Sequence, residues 1–232
     1  MPSSDQVQVL NTWLSMFGLR VVIALKAKGV HYEYLEQDLQ NKSQLLLESN
    51  PIHKKIPVLI HNGKPVCESL IILKYIDEAW PSADASFLPK DPYDRAVTLF
   101  WADYIDKKMY DAGSRIIRSP DAEQRDQGKK DFIEVLETLD GALGDVFGGG
   151  PFFGGQSIGF VDIALAPFLC WFEVYEALGE FKVWEAAKCP LLSKWAEAVW
   201  EVPCVKEALS IAPPHKLVEF VQAMRKKMQA GS

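Results

Sequence analysis

The hydrophobic period of the chain changes at about Trp80, and that change limits the folds open to it. Before it, short β-branched or aromatic runs alternate with segments whose apolar residues recur every three to four positions. Val7 to Thr12 reads as a strand. Phe17 to Lys28 places Phe17, Val21, Ala24 and Leu25 on one helix face. Gly29 then stands where a helix ends in the left-handed conformation, with Val30 placed for the apolar contact of a Schellman ending. His31 to Glu36, with Tyr32 and Tyr34 two apart, reads as a second strand. Pro57 to Ile60 and Pro65 to Cys67 flank His61-Asn62-Gly63-Lys64, a hairpin whose Asn-Gly tip reaches positive φ easily. Ser69 to Ala79 reads as a helix that Trp80-Pro81 stops.

The order is therefore β-α-β, an irregular stretch, then β-β-α. A parallel β-α-β unit beside a hairpin and a covering helix is the arrangement of thioredoxin-like domains. Pro81 to Pro92, rich in Ser, Ala, Asp and Pro, reads as a linker, and every later segment is helical. Asp91-Pro92 supplies an N-cap and a first-turn proline, and Ser119-Pro120 is expected to repeat the device. Phe132, Leu136, Leu139, Leu143 and Val146 follow at spacings of four and three, until Gly148-Gly149-Gly150-Pro151 breaks the helix. Further helices are expected over Phe160 to Leu178, Leu191 to Trp200 and Leu217 to Met228. The fold class is thus α/β plus all-α, with residues 1–80 as one domain, 81–92 as linker and 93–232 as the helical domain.

Composition narrows the function. At roughly 150 residues per domain, 232 residues fit one large or two modest domains. Apolar residues at 48% and charged residues at 24% exclude disordered, collagenous and coiled-coil classes. With Lys plus Arg at 25 against Asp plus Glu at 31, the net charge of -6 argues against a general nucleic-acid binder. No apolar run approaches the ~20 residues of a membrane span, and no Lys or Arg precedes Arg20, so a secretory signal is not expected. Cys67, Cys170, Cys189 and Cys204 form no C-x-x-C pair and read as buried thiols in a reducing compartment, not as a disulfide framework or zinc site. A cytoplasmic protein is expected.

Three short segments carry the chemistry. Ser15 falls between the first strand and the first helix, where open α/β sheets bind ligands and helix N-termini favour anions. Position alone leaves it as an N-cap, the commoner role, or as a hydroxyl donor to a bound nucleophile. No G-x-S-x-G elbow surrounds it, which removes the serine-hydrolase reading. His31, His53, His61 and His215 read as surface polar groups rather than bases. Ile56-Pro57 begins a strand; a cis bond there turns the Ile56 backbone outward for an extended peptide, whereas a trans bond makes it an ordinary loop. Glu68-Ser69 stands where a strand passes into a helix, the serine placed as a cap or as a carboxylate binder, the glutamate as a partner for an ammonium.

Taken together, W-x-S-x-F-G-x-R from Trp13, N-K-S at Asn41 to Ser43, K-I-P-V at Lys55 to Val58 and E-S-L-I at Glu68 to Ile71 resemble the cytosolic glutathione transferases, and most of all the plant tau class. The resemblance covers essentially the whole chain and includes Gly159-Phe160-Val161-Asp162-Ile163-Ala164. It implies a thioredoxin-like domain of order β-α-β-α-β-β-α, an all-helical domain, and a homodimer. Ser15 then matches the serine that hydrogen-bonds the glutathione sulfur. Lys42 and Lys55 match positions near the glycyl carboxylate, Ile56 the residue whose backbone pairs with the cysteinyl unit beside a cis proline, and Glu68 and Ser69 the pair that holds the γ-glutamyl end. By the same analogy Phe17, Met109, Tyr110, Trp171 and the last helix line the pocket of a small hydrophobic electrophile.

Glutathione is implied as co-substrate, with no metal or other cofactor, and with neither nucleic acid nor membrane as partner. Hydroperoxide reduction is an implied side activity, since the same thiolate attacks a peroxide oxygen. The alternative on the same fold is a non-catalytic carrier of hydrophobic ligands. Two departures stand out. Leu14 and Met16 replace the prolines that commonly flank this serine, which predicts a looser turn. Gly159, three before Asp162, replaces the usual Ser or Thr of a capping box, so Asp162 is read as a folding residue.

Overall fold

The fold is described from a computed structural model, which covers residues 5–82 and 86–230. A four-stranded sheet, in the order β2-β1-β3-β4, is built from β1 (Val7–Asn11), β2 (Glu33–Glu36), β3 (Val58–His61) and β4 (Lys64–Cys67). β1 runs parallel to β2 and antiparallel to β3, and β3 is antiparallel to β4. Period-two alternation gives the sheet two buried faces. Val9 and Leu59 face α1 (Met16–Ala27) and α3 (Ser69–Ala79), whereas Leu10, Val58 and Ile60 pack with Leu46 of the short α2 (Gln44–Ser49).

The predicted local signals hold here. The N–H of Gly29 (φ 65°) donates to the Lys26 carbonyl and that of Val30 to the Leu25 carbonyl, the two bonds of a Schellman ending. Asn62 and Gly63 both have positive φ at the hairpin tip. The expected linker, 81–92, lies in part (83–85) outside the described residues.

The helical half comprises α4 (Pro92–Tyr104), one π-helical turn (Ile105–Met109), α5 (Tyr110–Arg118), α6 (Ala122–Asp145), α7 (Phe160–Leu165), a 3-10 turn (Ala166–Phe168), α8 (Leu169–Gly179), α9 (Val183–Ala186), α10 (Pro190–Trp200), α11 (Pro203–Leu209) and α12 (Pro214–Ala230). Asp91 caps α4 by accepting from the Tyr93 and Asp94 N–H groups, with Pro92 in the first turn. Ser119-Pro120 does not start α6. The N-cap is Asp121, whose carboxylate accepts from the Glu123 N–H, while Ser119 closes α5. The helix expected over Phe160 to Leu178 is interrupted at Pro167, which lacks the N–H that would continue it. Phe132, Leu136, Leu139 and Leu143 are buried as the spacing predicts, but Val146, past the end of α6, is exposed.

His61 is also unlike its expectation. Its side chain is 13% exposed, its Nδ1 lies 2.8 Å from the Tyr75 hydroxyl, and its ring stacks on Trp80 at 4.6 Å.

α1 packs against α3, α7 and α11, so one apolar core runs from the sheet into the helical half. Asp162 organises the start of α7. Fully buried, its carboxylate accepts from the N–H groups of Phe153, Gly154 and Gly159 and from the Trp195 indole, at 2.7–2.9 Å. Gly159 has no side chain to return the bond, so only Asp162's half of the capping box exists. Burial pushes the Asp162 carboxyl up to about 6, against the four N–H groups that favour its charge.

Candidate active site

The sheet register gathers the predicted residues at one end. Val58 pairs with Leu10 on one side and Cys67 on the other, and Glu36 lies beside Asn11. The segments that follow β1, β2 and β4 and the one that precedes β3 therefore leave the sheet together. They carry Ser15, Lys42, Glu68 with Ser69, and Lys55 with Ile56.

Ser15 is the N-cap of α1, and its Oγ accepts from the Gly18 N–H at 3.1 Å. Its hydroxyl proton has no acceptor among the described residues, nor do the Met16 and Phe17 N–H groups. The N-cap and donor readings are thus compatible: the Gly18 bond uses a lone pair and leaves the O–H to point elsewhere. Met16 keeps a first-turn N–H that a proline lacks. No acidic residue lies in the first turn of α1, so the positive end of its dipole meets no charge there. Ser15 Oγ has no histidine partner, in keeping with the rejected hydrolase reading.

Asn50 shapes the next segment. Buried, it donates to the Lys55 carbonyl at 2.9 Å and accepts from the His53 N–H at 3.1 Å. Ile56-Pro57 is cis, and the Ile56 N–H and C=O carry no hydrogen bond among the described residues. Lys55 is exposed. Lys42 spends one of its donors on the Lys54 carbonyl at 2.9 Å, which leaves two. Glu68 caps α3 with φ 69° and ψ 118°, a left-handed value that costs a non-glycine residue about 1–3 kcal/mol. Its carboxylate is exposed, 4.0 Å from the His53 ring. Ser69 is buried, and its Oγ accepts from Arg20 at 3.1 Å.

Arg20, on α1, closes the W-x-S-x-F-G-x-R pattern that begins at Trp13. Fully buried, it donates to the Ala164 carbonyl at 2.8 Å, to Ser69, and to the Asp106 carboxylate at 2.6 Å. It also lies 5.0 Å from the Phe17 ring and 5.7 Å from Phe168. The π turn that carries Asp106 has no sequence signature, and neither Asn50 nor Asp106 was legible as a site residue.

Of the expected pocket residues, Phe17 and Tyr110 meet edge-on at 5.0 Å, with Phe168 6.5 Å from Phe17. Trp13 meets Phe220 of α12 at 5.9 Å, which brings the last helix to the Ser15 loop. Met109 is fully buried in the core and presents no surface to a ligand, a correction that follows from its inward place on the π turn. Trp171 lies against Tyr175 at 6.5 Å, with its indole N–H buried and unpartnered. An open groove of about 560 Å³, between Lys26, Tyr32, Pro203 and Cys204, sits at the other end of α1 from Ser15. Burial raises all four thiols, Cys189 to about 11 and Cys170 to about 12, so none is poised as a nucleophile. Among the described residues no cluster of three potential metal ligands occurs and no helix is long and apolar enough to cross a membrane.

A thioredoxin-like sheet with an open serine at the start of its first helix, joined to an all-helical half, is the architecture that the resemblance to glutathione transferases implies. Residues 5–78 match the family model of the glutathione S-transferase N-terminal domain and residues 122–198 that of the C-terminal domain. The chain is 52% identical to a probable glutathione S-transferase parC of Nicotiana tabacum, over 97% of this chain and 98% of that one. It is 51% identical to glutathione S-transferase U25 of Arabidopsis thaliana, over 97% of each. A tau-class glutathione S-transferase from mango superposes with a TM-score of 0.87 at 45% identity, over 94% of this chain and 98% of that one. Rice GST1, solved in complex with glutathione, does so with 0.87 at 43%, over 97% and 98%. The chain belongs to the glutathione S-transferase family, and within it to the tau class.

Proposed function

We propose that the protein conjugates glutathione to small hydrophobic electrophiles, with Ser15 donating a hydrogen bond to the glutathione sulfur. The observation that carries this reading is the spare hydroxyl proton of Ser15, whose Oγ is held by the Gly18 N–H at the sheet end where Ile56 and Ser69 also emerge. A thiol of pKa ~8.5 is about 3% ionised at pH 7. A hydrogen bond to a charged group contributes about 1.5–3 kcal/mol, or roughly one to two pKa units. That shift raises the thiolate fraction to between about a quarter and three quarters. The thiolate attacks the electrophile, and Ser15 forms no covalent bond.

In this reading Lys42 and Lys55 neutralise the glycyl carboxylate, the unpaired Ile56 backbone groups bind the cysteinyl unit, and Glu68 and Ser69 hold the γ-glutamyl end. Trp13, Phe17, Tyr110 and Phe220 wall the electrophile's pocket. Residues 1–80 and 93–232 form the two domains, joined by 81–92. Ile52, Ile71, Tyr93 and Phe100 are large apolar side chains left exposed, and a second copy of the chain covers them in a homodimer. A cytoplasmic location suits a thiol co-substrate and four free cysteines.

The test is the ultraviolet thiolate band of bound glutathione against pH, for wild type and Ser15→Ala. A wild-type midpoint well below that of free thiol, raised by the substitution, supports the mechanism. Bound glutathione with an ordinary midpoint overturns it and favours a carrier.

A further inference from the structure

We infer that Glu36, at the end of β2, is a positioning residue that fixes the aim of the Ser15 hydroxyl. The inference rests on Ser15 being the donor to the glutathione sulfur. Glu36 lies 21 residues beyond Ser15 and belongs to none of the segments that carry the sequence resemblance.

Its Oε1 accepts two hydrogen bonds from the chain just before Ser15, from the Thr12 hydroxyl at 2.7 Å and from the Trp13 N–H at 3.1 Å. The Thr12 carbonyl in turn accepts from the Ser15 N–H at 2.9 Å, closing a tight turn over residues 12–15. Ser15 Oγ then accepts from Gly18. Glu36 thus holds the Thr12 and Trp13 end of the turn whose other end is Ser15, through hydrogen bonds joined by the turn's own covalent chain.

β2 grips the turn from below as well. The fully buried Asn11 carboxamide donates to the Tyr34 hydroxyl at 3.2 Å and fills the space beside Gly18. A Cβ at position 18 would lie 1.8 Å from its oxygen, so the first turn of α1 sits directly on it. Burial, and the Glu36 carboxylate nearby, push the Tyr34 hydroxyl's pKa up and keep it neutral as a partner for Asn11.

The turn needs such a fastening. Leu14 and Met16 leave its backbone dihedrals unset, where prolines would restrict φ chemically. In their place, the bonds from Thr12 and Trp13 to Glu36 fasten the turn that the Ser15 N–H closes onto the Thr12 carbonyl. Glu36 is itself exposed, and both bonds that its Oε1 accepts fall on this one turn.

The experiment measures the ionisation midpoint of bound glutathione, kcat and the KM for glutathione in Glu36→Ala, Glu36→Gln, Ser15→Ala and the Ser15→Ala/Glu36→Ala double variant. Glu36→Ala is expected to raise the midpoint and to lower kcat about ten-fold, with the glutathione KM changed less than about two-fold, as for a small misalignment rather than lost binding. Glu36→Gln keeps an oxygen that accepts both bonds, and its midpoint is expected at or below the wild-type value. In the Ser15→Ala background the Glu36 substitution is expected to add nothing, because its effect passes through the hydroxyl. A wild-type midpoint in Glu36→Ala, an equal loss in Glu36→Gln, or a further drop in the double variant each overturns the inference. An unmoved midpoint in Ser15→Ala alone overturns the donor reading itself, and with it this one, without reference to any Glu36 variant.

Discussion

Helix α1 begins at Ser15 and helix α7 at Gly159, and the two starts dispose of their donors in opposite ways. At α7 the chain supplies its own anion: four N–H groups, three from the backbone and one from Trp195, converge on the buried Asp162 carboxylate. At α1 no acidic residue lies in the first turn, and the half-buried Ser15 keeps its hydroxyl proton unspent. A helix start closed by an internal carboxylate serves the fold, and one left open near the surface is ready for an anion from outside. Two kinds of substitution separate these roles, those that cost stability and those that cost chemistry.

The largest effect is expected at the closed start. Asp162→Ala strands four donors in the core, and removing the acceptor of a buried hydrogen-bonded charge costs about 3–5 kcal/mol. Urea unfolding would show the midpoint falling far below that of wild type. A loss under about 1 kcal/mol would mean that the donors find other partners and that the start is not closed as described.

Arg20 lies between the two regions, tying α1 to the Ala164 carbonyl at the far end of α7 and to Ser69 at the start of α3. Arg20→Lys keeps the charge but loses the fork that reaches Ala164, Ser69 and Asp106 at once. A loss of about 2–3 kcal/mol is expected in urea unfolding, with a raised KM for glutathione because Ser69 loses its donor. If stability falls while the KM stays put, the placement of Ser69 does not depend on Arg20.

At the open start the order of effects reverses. Ser15→Ala removes an N-cap and is expected to cost only about 1 kcal/mol in stability. The same substitution is expected to raise the bound thiol's midpoint by roughly one to two units. The contrast with Asp162→Ala is the sharpest form of the comparison: one variant unfolds readily, while the other folds and fails at its chemistry. A Ser15→Ala protein destabilised as much as Asp162→Ala would erase the distinction.

How far the sequence could be read follows from the same contrast. Signals that act within one turn of chain were legible: the Schellman glycine, the Asn-Gly hairpin, the Asp91-Pro92 start, and the buried row from Phe132 to Leu143. The placement of Ser15, Ile56 and Glu68-Ser69 was legible too, because each sits beside a strand end that its neighbours define. Residues whose roles come from distant partners were not. Arg20 reaches Ala164 at a separation of 144 residues, and nothing near Arg20 encodes that. Asp106 rests on a π turn without a composition of its own. Glu36 acts across a parallel strand pair, visible only once β1 and β2 lie side by side. Ser119-Pro120 misled because Asp121, two residues on, offers a charged acceptor to the same helix start. Met109 misled because the family resemblance does not say which face the π turn carries inward.

The smallest effect lies outside both helix starts, at Asp131 on α6, and it calibrates them. Asp131 accepts from Arg115 of α5 at 2.5 Å, with about a third of its side chain exposed (33%) and 29% of the arginine's. The Arg115 guanidinium holds the Asp131 carboxyl below its ordinary value. A carboxyl lowered in the folded state adds stability that is present above its unfolded pKa of about 3.9 and is lost as pH falls through the lower, folded value. Asp131→Asn is therefore expected to cost less than about 1 kcal/mol at pH 7, because solvent screens the pair. It is expected to match wild type once the pH is well below the folded value, and to leave the bound thiol's midpoint untouched. Urea midpoints of the two proteins at pH 7 and in acid check the sign, and an equal gap at both pH values would show that the loss is packing rather than charge. Asp131 and Asp162 are both aspartates that accept N–H bonds. The difference expected between their substitutions measures what burial adds, since water can replace Arg115 at Asp131 but cannot reach the donors around Asp162.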